Sequence, residues 1–275
     1  MRLVLKIAYD GTEFHGVARQ PGLRTVEGEV IKALSSARAI RDVRSSRFQS
    51  ASRTDRGVSA LGNVVAFTSL LAPAACVRSL NAKARGVWAW ASARVPDDFS
   101  ARGARDRWYR YLLPRGRNVA RLNTALRVYE GEHDFRNFTR DRTRTLATIG
   151  EASARIEGPF VALDFHAPSF RWNLVRRLVA AALRVETGLI SLELLQKALD
   201  ARIRIDLGLA PPEPLVLMDV AYGFDVPAVP DRTTESRVLR LVESRTREMW
   251  FLQALRERLD GRSLQGPPIS KRARR

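Results

Sequence analysis

The chain has 275 residues, 45% of them hydrophobic, which is enough to bury a sizeable core and excludes disorder throughout. Lysine and arginine total 47 against 29 acidic residues, a formal charge of +18 that points to a polyanionic partner, nucleic acid first. The single cysteine, Cys76, excludes an intramolecular disulfide and a cysteine-based zinc site, no apolar run approaches the roughly 20 residues of a membrane span, and Met1 to Asp10 lacks a signal-peptide core, so a reducing, cytoplasmic setting with no membrane partner is expected.

Leu3 to Tyr9 is short, apolar and bounded by Asp10-Gly11, the pattern of a buried strand running into a turn. A loop to about Leu23 precedes a helix capped by Thr25, with Glu27 and Glu29 in its first turn, Val26, Val30, Ile31 and Leu34 at helical spacing, and an end near Ala37. Two strands, Arg47–Ala51 and Asn63–Thr68, flank a polar loop from Ser52 to Gly62. A helix around Cys76 to Ala84 follows, then aromatic-rich strands at Val87–Ser92 and Arg107–Leu112, with Pro96-Asp97-Asp98 between them as the crossing from one half to the other. In the second half Ile149–Glu157 and Val161–His166 pair around Gly158-Pro159, and Phe170 to Glu186 is helical. From Thr233 to Leu259 the residues Val238, Leu241, Val242, Met249, Leu252, Leu255 and Leu259 keep roughly helical spacing, with Gly261 as the stop. The basic end, Lys271 to Arg275, reads as a disordered tail. This mixed order predicts an α+β fold, divided at 1–96, 97–225 and 226–275.

His15, His133 and His166 lie too far apart for a metal-binding helix motif, and there is no Walker loop, no Gly-x-Gly-x-x-Gly fingerprint and no Gly-x-Ser-x-Gly elbow. What stands out is Asp55, flanked by Arg53 and Arg56 on a glycine-bearing loop between two apolar strands. Neighbouring guanidinium groups favour a carboxylate, which can act as a nucleophile. By charge pattern alone, a turn residue beside Gly57 is the simpler reading.

The segment Ser52-Arg53-Thr54-Asp55-Arg56-Gly57-Val58-Ser59-Ala60 resembles the Gly-Arg-Thr-Asp-x-Gly-Val-[His/Ser]-Ala signature of TruA-type tRNA pseudouridine synthases, and Ser59 resembles the archaeal and eukaryotic branch. Other pieces follow in that family's order: Tyr9-Asp10-Gly11-Thr12, Asn63 to Phe67, Tyr109-Arg110-Tyr111, His133-Asp134-Phe135-x-Asn137-Phe138, Phe170-x-x-x-Leu174-Val175-Arg176, and Ala210 to Leu215. The likeness spans residues 3 to 224. Ser52 stands where the family has glycine, and Gly16-Val17-Ala18-Arg19-Gln20 where it commonly has Gly-Trp-x-x-Gln.

The resemblance implies two ferredoxin-like halves sharing a largely antiparallel sheet, an active-site cleft between them, a homodimer, and tRNA as partner. It implies Asp55 as nucleophile, Tyr109 stacking on the target base and assisting proton removal from C5, Arg176 pairing with Asp55, and Arg53 helping to open the RNA stem. Arg56 and Arg110 join Tyr109 and Arg53 as expected substrate-binding residues. The implied target is uridine in the anticodon stem-loop, at positions 38–40, and no cofactor is needed for the isomerisation. Clusters at Arg38-Arg41-Arg44-Arg47, Arg102-Arg105-Arg107-Arg110 and Arg136-Arg140-Arg142-Arg144 are candidates for the RNA groove. Two alternatives stand beside this: a catalytically silent RNA-binding protein of the same fold, and a metal-dependent nuclease using Asp55 with a second carboxylate.

Overall fold

Leu3, Leu5, Ile7 and Tyr9 alternate along β1 (Arg2–Tyr9), and all four are buried in the core of the computed structural model, which describes residues 1–260. In the first half β1 is followed by α1 (Val26–Ser36), β2 (Gln49–Ser50), β3 (Ser59–Thr68), α2 (Pro73–Lys83) and β4 (Val87–Arg94). The Thr25 side chain accepts the Gly28 amide and so caps α1 at the expected residue. The second half runs β5 (Asp106–Pro114), α3 (Val119–Arg127), β6 (Gly131–Asp134), β7 (Leu146–Ile149), β8 (Glu151–Glu157), β9 (Phe160–Ala167), α4 (Leu174–Glu186), α5 (Leu192–Leu199) and β10 (Leu215–Ala221).

Both halves repeat one β-α-β-β-α-β plan. In the first, β4 lies beside β1, β1 beside β3, and β2 beside β3; in the second the order is β10, β5, β9, β8. Every pairing is antiparallel except the one that joins the halves, β3 with β10, which is parallel at Val216 opposite Ser59 and Leu217 opposite Ala60. The result is one eight-stranded α+β sheet, with β6 and β7 paired separately. These strands and helices belong to one unit, Met1–Pro230.

The outer edge of β3 explains where the loop bearing Asp55 goes. Its Val65–Ala66 end pairs with β2, while its Ser59–Ala60 end pairs with β10. The five-residue strand expected at Arg47–Ala51 is only Gln49–Ser50, and Arg47, at φ 49°, departs from the extended path before it. The expected loop, Ser52 to Gly62, shortens to 51–58, since pairing with β10 makes Ser59 the first residue of β3. The chain between β2 and β3 has to leave the sheet at the line where the halves join.

Other parts of the fold differ from expectation. α4 starts at Leu174 rather than Phe170, because Asn173 has φ 64° and breaks the helical path there. The sequence pattern does not predict β6, β7, β10, α3 or α5. α6 (Arg232–Leu259) lies in the second unit, Asp231–Arg275, with Asp231 accepting the Thr234 amide as its cap. Its apolar residues at helical spacing, among them Val238, Leu241, Val242, Met249 and Leu252, are all exposed. The expected stop at Gly261 and the basic tail lie outside the described residues. Among those described, no helix is long and apolar enough to cross a membrane.

Candidate active site

The loop from Ser52 to Val58 is held by side chains from several other segments. The amide of Asn63 donates to the Ser52 carbonyl (3.0 Å) and to the Tyr9 hydroxyl (3.1 Å), and that hydroxyl lies 3.0 Å from Thr54 Oγ1. Arg107 fastens the loop to the second half: Nε donates to Ser52 Oγ (3.0 Å), Nη2 to the Ala51 and Arg102 carbonyls, and Nη1 to the Pro168 carbonyl. Ser52, the residue in place of the family's glycine, thus has a buried acceptor role. Gly11 packs so close that a Cβ there would lie 2.2 Å from the Val58 carbonyl carbon, and its own carbonyl accepts the Gly57 amide. Gly57, at φ +85°, makes the turn that brings Asp55 outward.

Asp55 projects into a cavity of about 880 Å³, within the size range of ligand sites. Arg176, on the first turn of α4, donates from Nη1 to Asp55 Oδ2 at 3.1 Å and from Nε to the Ala210 carbonyl at 2.8 Å. The guanidinium is largely buried, while the carboxylate keeps 30% of its side-chain surface. The other oxygen, Oδ1, accepts the indole N–H of Trp172 at 3.3 Å. Each carboxylate oxygen therefore has a donor, one charged and one neutral, and both come from the segment that opens α4.

Tyr109 also lines this cavity, with its ring edge-on to Phe170 at 5.0 Å between centroids. Burial pushes its phenol up to about 12, with Arg107 and Ser52 pulling the other way. It is a neutral hydroxyl throughout the physiological range. Stacking on a base needs no ionisation, so the geometry fits that role better than a phenolate base.

Arg53 and Arg56 are exposed on the cavity rim, and among the described residues neither pairs with a carboxylate. Arg102 and Arg171 line it as well. The cavity holds two carboxylates, Asp55 and Asp141, among the arginines Arg53, Arg56, Arg102 and Arg171, a basic lining that favours a polyanion.

Arg110, expected to bind substrate, is not part of this site. Successive side chains on a strand point to opposite faces, so Tyr109 entering the cavity turns Arg110 away. Arg110 is buried on the other face of β5, where it binds Asp164 and Glu157 and lies over the Trp108 ring. Arg107, expected in an RNA-facing cluster, is a buried clamp. Trp172 was not singled out as a site residue, although an aromatic residue four positions before the expected active-site arginine was a usable signal.

A family model described as tRNA pseudouridine synthase matches residues 125–223. Among curated proteins, the tRNA pseudouridine synthase A of Thermococcus sibiricus is 41% identical over 226 residues, covering 81% of this chain and 85% of that one. That of Pyrococcus abyssi is 42% identical over 233 residues, covering 82% and 87%. A solved structure described as a Cbf5-Nop10-Gar1 complex aligns at 13% identity and a TM-score of 0.33, covering 67% of this chain and 44% of that one.

Proposed function

The chain belongs to the tRNA pseudouridine synthase family, isomerases that act on tRNA, and we propose that Asp55 is its nucleophile and the anticodon stem-loop its target. The observation that carries the first part is the carboxylate of Asp55 held between Arg176 and Trp172 in a cavity lined by Tyr109. The target, the uridines at positions 38–40 just 3′ of the anticodon, is supported by the resemblance of the signature. On the same resemblance the enzyme is a homodimer that needs no cofactor, and its composition fits work in the cytoplasm.

The reaction breaks the bond from N1 to C1′, turns the base and joins C5 to C1′. C5 loses a proton and N1 gains one, so neither redox change nor an external reagent is involved. Asp55 acts on the uridine as a carboxylate while Arg176 fixes its orientation. Tyr109 stacks on the base, and Arg53, exposed on the rim, takes part in opening the stem. Extruding a paired base costs a few kcal/mol, and phosphate contacts along the basic rim offset it.

Incubating the protein with an unmodified tRNA transcript and mapping pseudouridine by chemical derivatisation and primer extension tests this reading. Conversion at 38–40 is expected. Conversion elsewhere would overturn the target, and conversion nowhere the activity.

A further inference from the structure

Beside the active-site cavity lies a second one of about 500 Å³, walled by the loop 136–145 between β6 and β7 and closed by Arg204 from the segment after α5. Its cations are Arg136, Arg140, Arg142 and Arg204, all exposed, and Thr139, Thr143 and Thr145 line it too, the Thr145 side chain bonded to Asp134. Arg136 is neutralised by Asp134. Among the described residues, Arg140, Arg142 and Arg204 have no carboxylate within ion-pair distance. The one acid on the wall among the described residues is Asp141, which accepts the Trp172 backbone amide at 3.3 Å.

Buried polar side chains hold these walls in place. The amide of Asn137, 8% exposed, donates to the Ala198 and Ile203 carbonyls (2.7 and 2.9 Å) and accepts the Ile205 amide, which fixes the backbone on both sides of Arg204. Thr139, equally buried, donates to the Trp172 carbonyl at 3.1 Å and accepts the Asp141 amide at 3.0 Å. Asn137 belongs to the His133-to-Phe138 motif, to which the isomerisation chemistry gives no task. Three like charges facing one cavity are relieved by an anion between them, and Arg forks, with the Thr143 hydroxyl beside them, suit tetrahedral phosphate oxygens.

We propose that this cavity binds a backbone phosphate of the RNA substrate, one close along the strand to the target nucleotide. The closeness follows from the shared wall. Asp141 lines both cavities, and the Arg140 guanidinium lies 5.4 Å from the centroid of the Trp172 ring, whose N–H reaches Asp55. A phosphate held here is therefore linked through Arg140 and Trp172 to the nucleophile. The inference rests on the reading of the chain as a tRNA-modifying enzyme.

The test is equilibrium binding of unmodified tRNA by the full-length protein over a range of salt concentrations, comparing wild type with Arg142→Ala/Arg204→Ala. Arg78→Ala/Arg94→Ala, which removes two exposed arginines from α2 and β4, is the control. Loss of one phosphate contact should weaken binding about tenfold near physiological salt and reduce the slope of log K against log salt by about one in the first variant, with a much smaller change in the control. Equal changes in both would reduce the effect to overall charge and overturn the site. Inorganic phosphate bound by the wild type below a millimolar, with tRNA affinity unchanged in the variant, would make it a free-anion site and also overturn it. Binding does not depend on turnover: a wild type that isomerises no tRNA refutes the underlying reading, whereas an active wild type without the slope difference refutes this inference alone.

Discussion

The indole N–H of Trp172 and the guanidinium of Arg176 hold opposite oxygens of Asp55, at 3.3 and 3.1 Å, so the carboxylate is clamped from both sides by the segment that opens α4. The two donors are not equivalent. Trp172 is 53% exposed and neutral, while Arg176 is largely buried, charged and tied to the Ala210 carbonyl.

Trp172→Phe keeps an aromatic side chain but replaces the indole with a smaller ring that has no N–H. A hydrogen bond to a charged group at a partly exposed site contributes on the order of 1 kcal/mol, so single-turnover isomerisation should slow about fivefold with tRNA affinity little changed. A loss of affinity with the rate unchanged would mean that the ring, not its donor, is what counts.

Arg176→Ala leaves Asp55 without its cation and the Ala210 carbonyl without its donor. Breaking a largely buried charged pair costs about 2–5 kcal/mol, so the single-turnover rate should fall at least about thirtyfold. Arg176→Lys keeps the charge but not the two-armed geometry and should lie between the two. Circular dichroism melting checks that both variants fold.

Arg107→Met should act on stability first. Four acceptors from Ala51, Ser52, Arg102 and Pro168 lose their shared donor inside the protein. Urea unfolding should show a loss of about 3 kcal/mol or more. Gly11→Ala has a narrower effect, because its methyl would meet the Val58 backbone and push the Asp55 loop outward. Activity should drop much further than stability does.

The buried phenols set the alkaline limit. Tyr109 titrates near 10 in an unfolded chain and at about 12 here, because burial favours its neutral form. Its contribution is complete below pH 10 and is lost as pH rises towards 12, since the unfolded chain releases the proton first. The loss amounts to about 2–3 kcal/mol for this group. Tyr111, raised to about 12 mainly by burial, acts in the same direction. Urea midpoints at pH 9 and pH 11.5 should differ less in Tyr109→Phe than in the wild type.

Local signals in the sequence carried much of the fold. The alternation in β1, the Thr25 cap and the β8–β9 pair around Gly158-Pro159 are all short-range features, and each element stands where its pattern puts it, within a few residues. What local patterns do not carry is how distant segments meet. Asp55 and Arg176 are 121 residues apart and come together only because β3 and β10 pair in parallel, a contact that neither strand's own pattern specifies. Arg110 shows the same limit from the other side: its place beside Tyr109 in a motif suggested a shared task, yet the period of a strand separates the two. Along α6 the helical spacing gave the helix, but exposure of its apolar residues is a tertiary property that spacing does not contain.

The most direct test of Asp55 as nucleophile uses tRNA tritiated at uridine C5, which releases tritium as C5 is joined to C1′. Asp55→Asn keeps the size and the hydrogen-bonding outline of the side chain but removes the charged oxygen that attacks. Tritium release by the wild type, none above background by Asp55→Asn, and equal tRNA binding by both is the predicted result. Release by Asp55→Asn at more than a few per cent of the wild-type rate would contradict it.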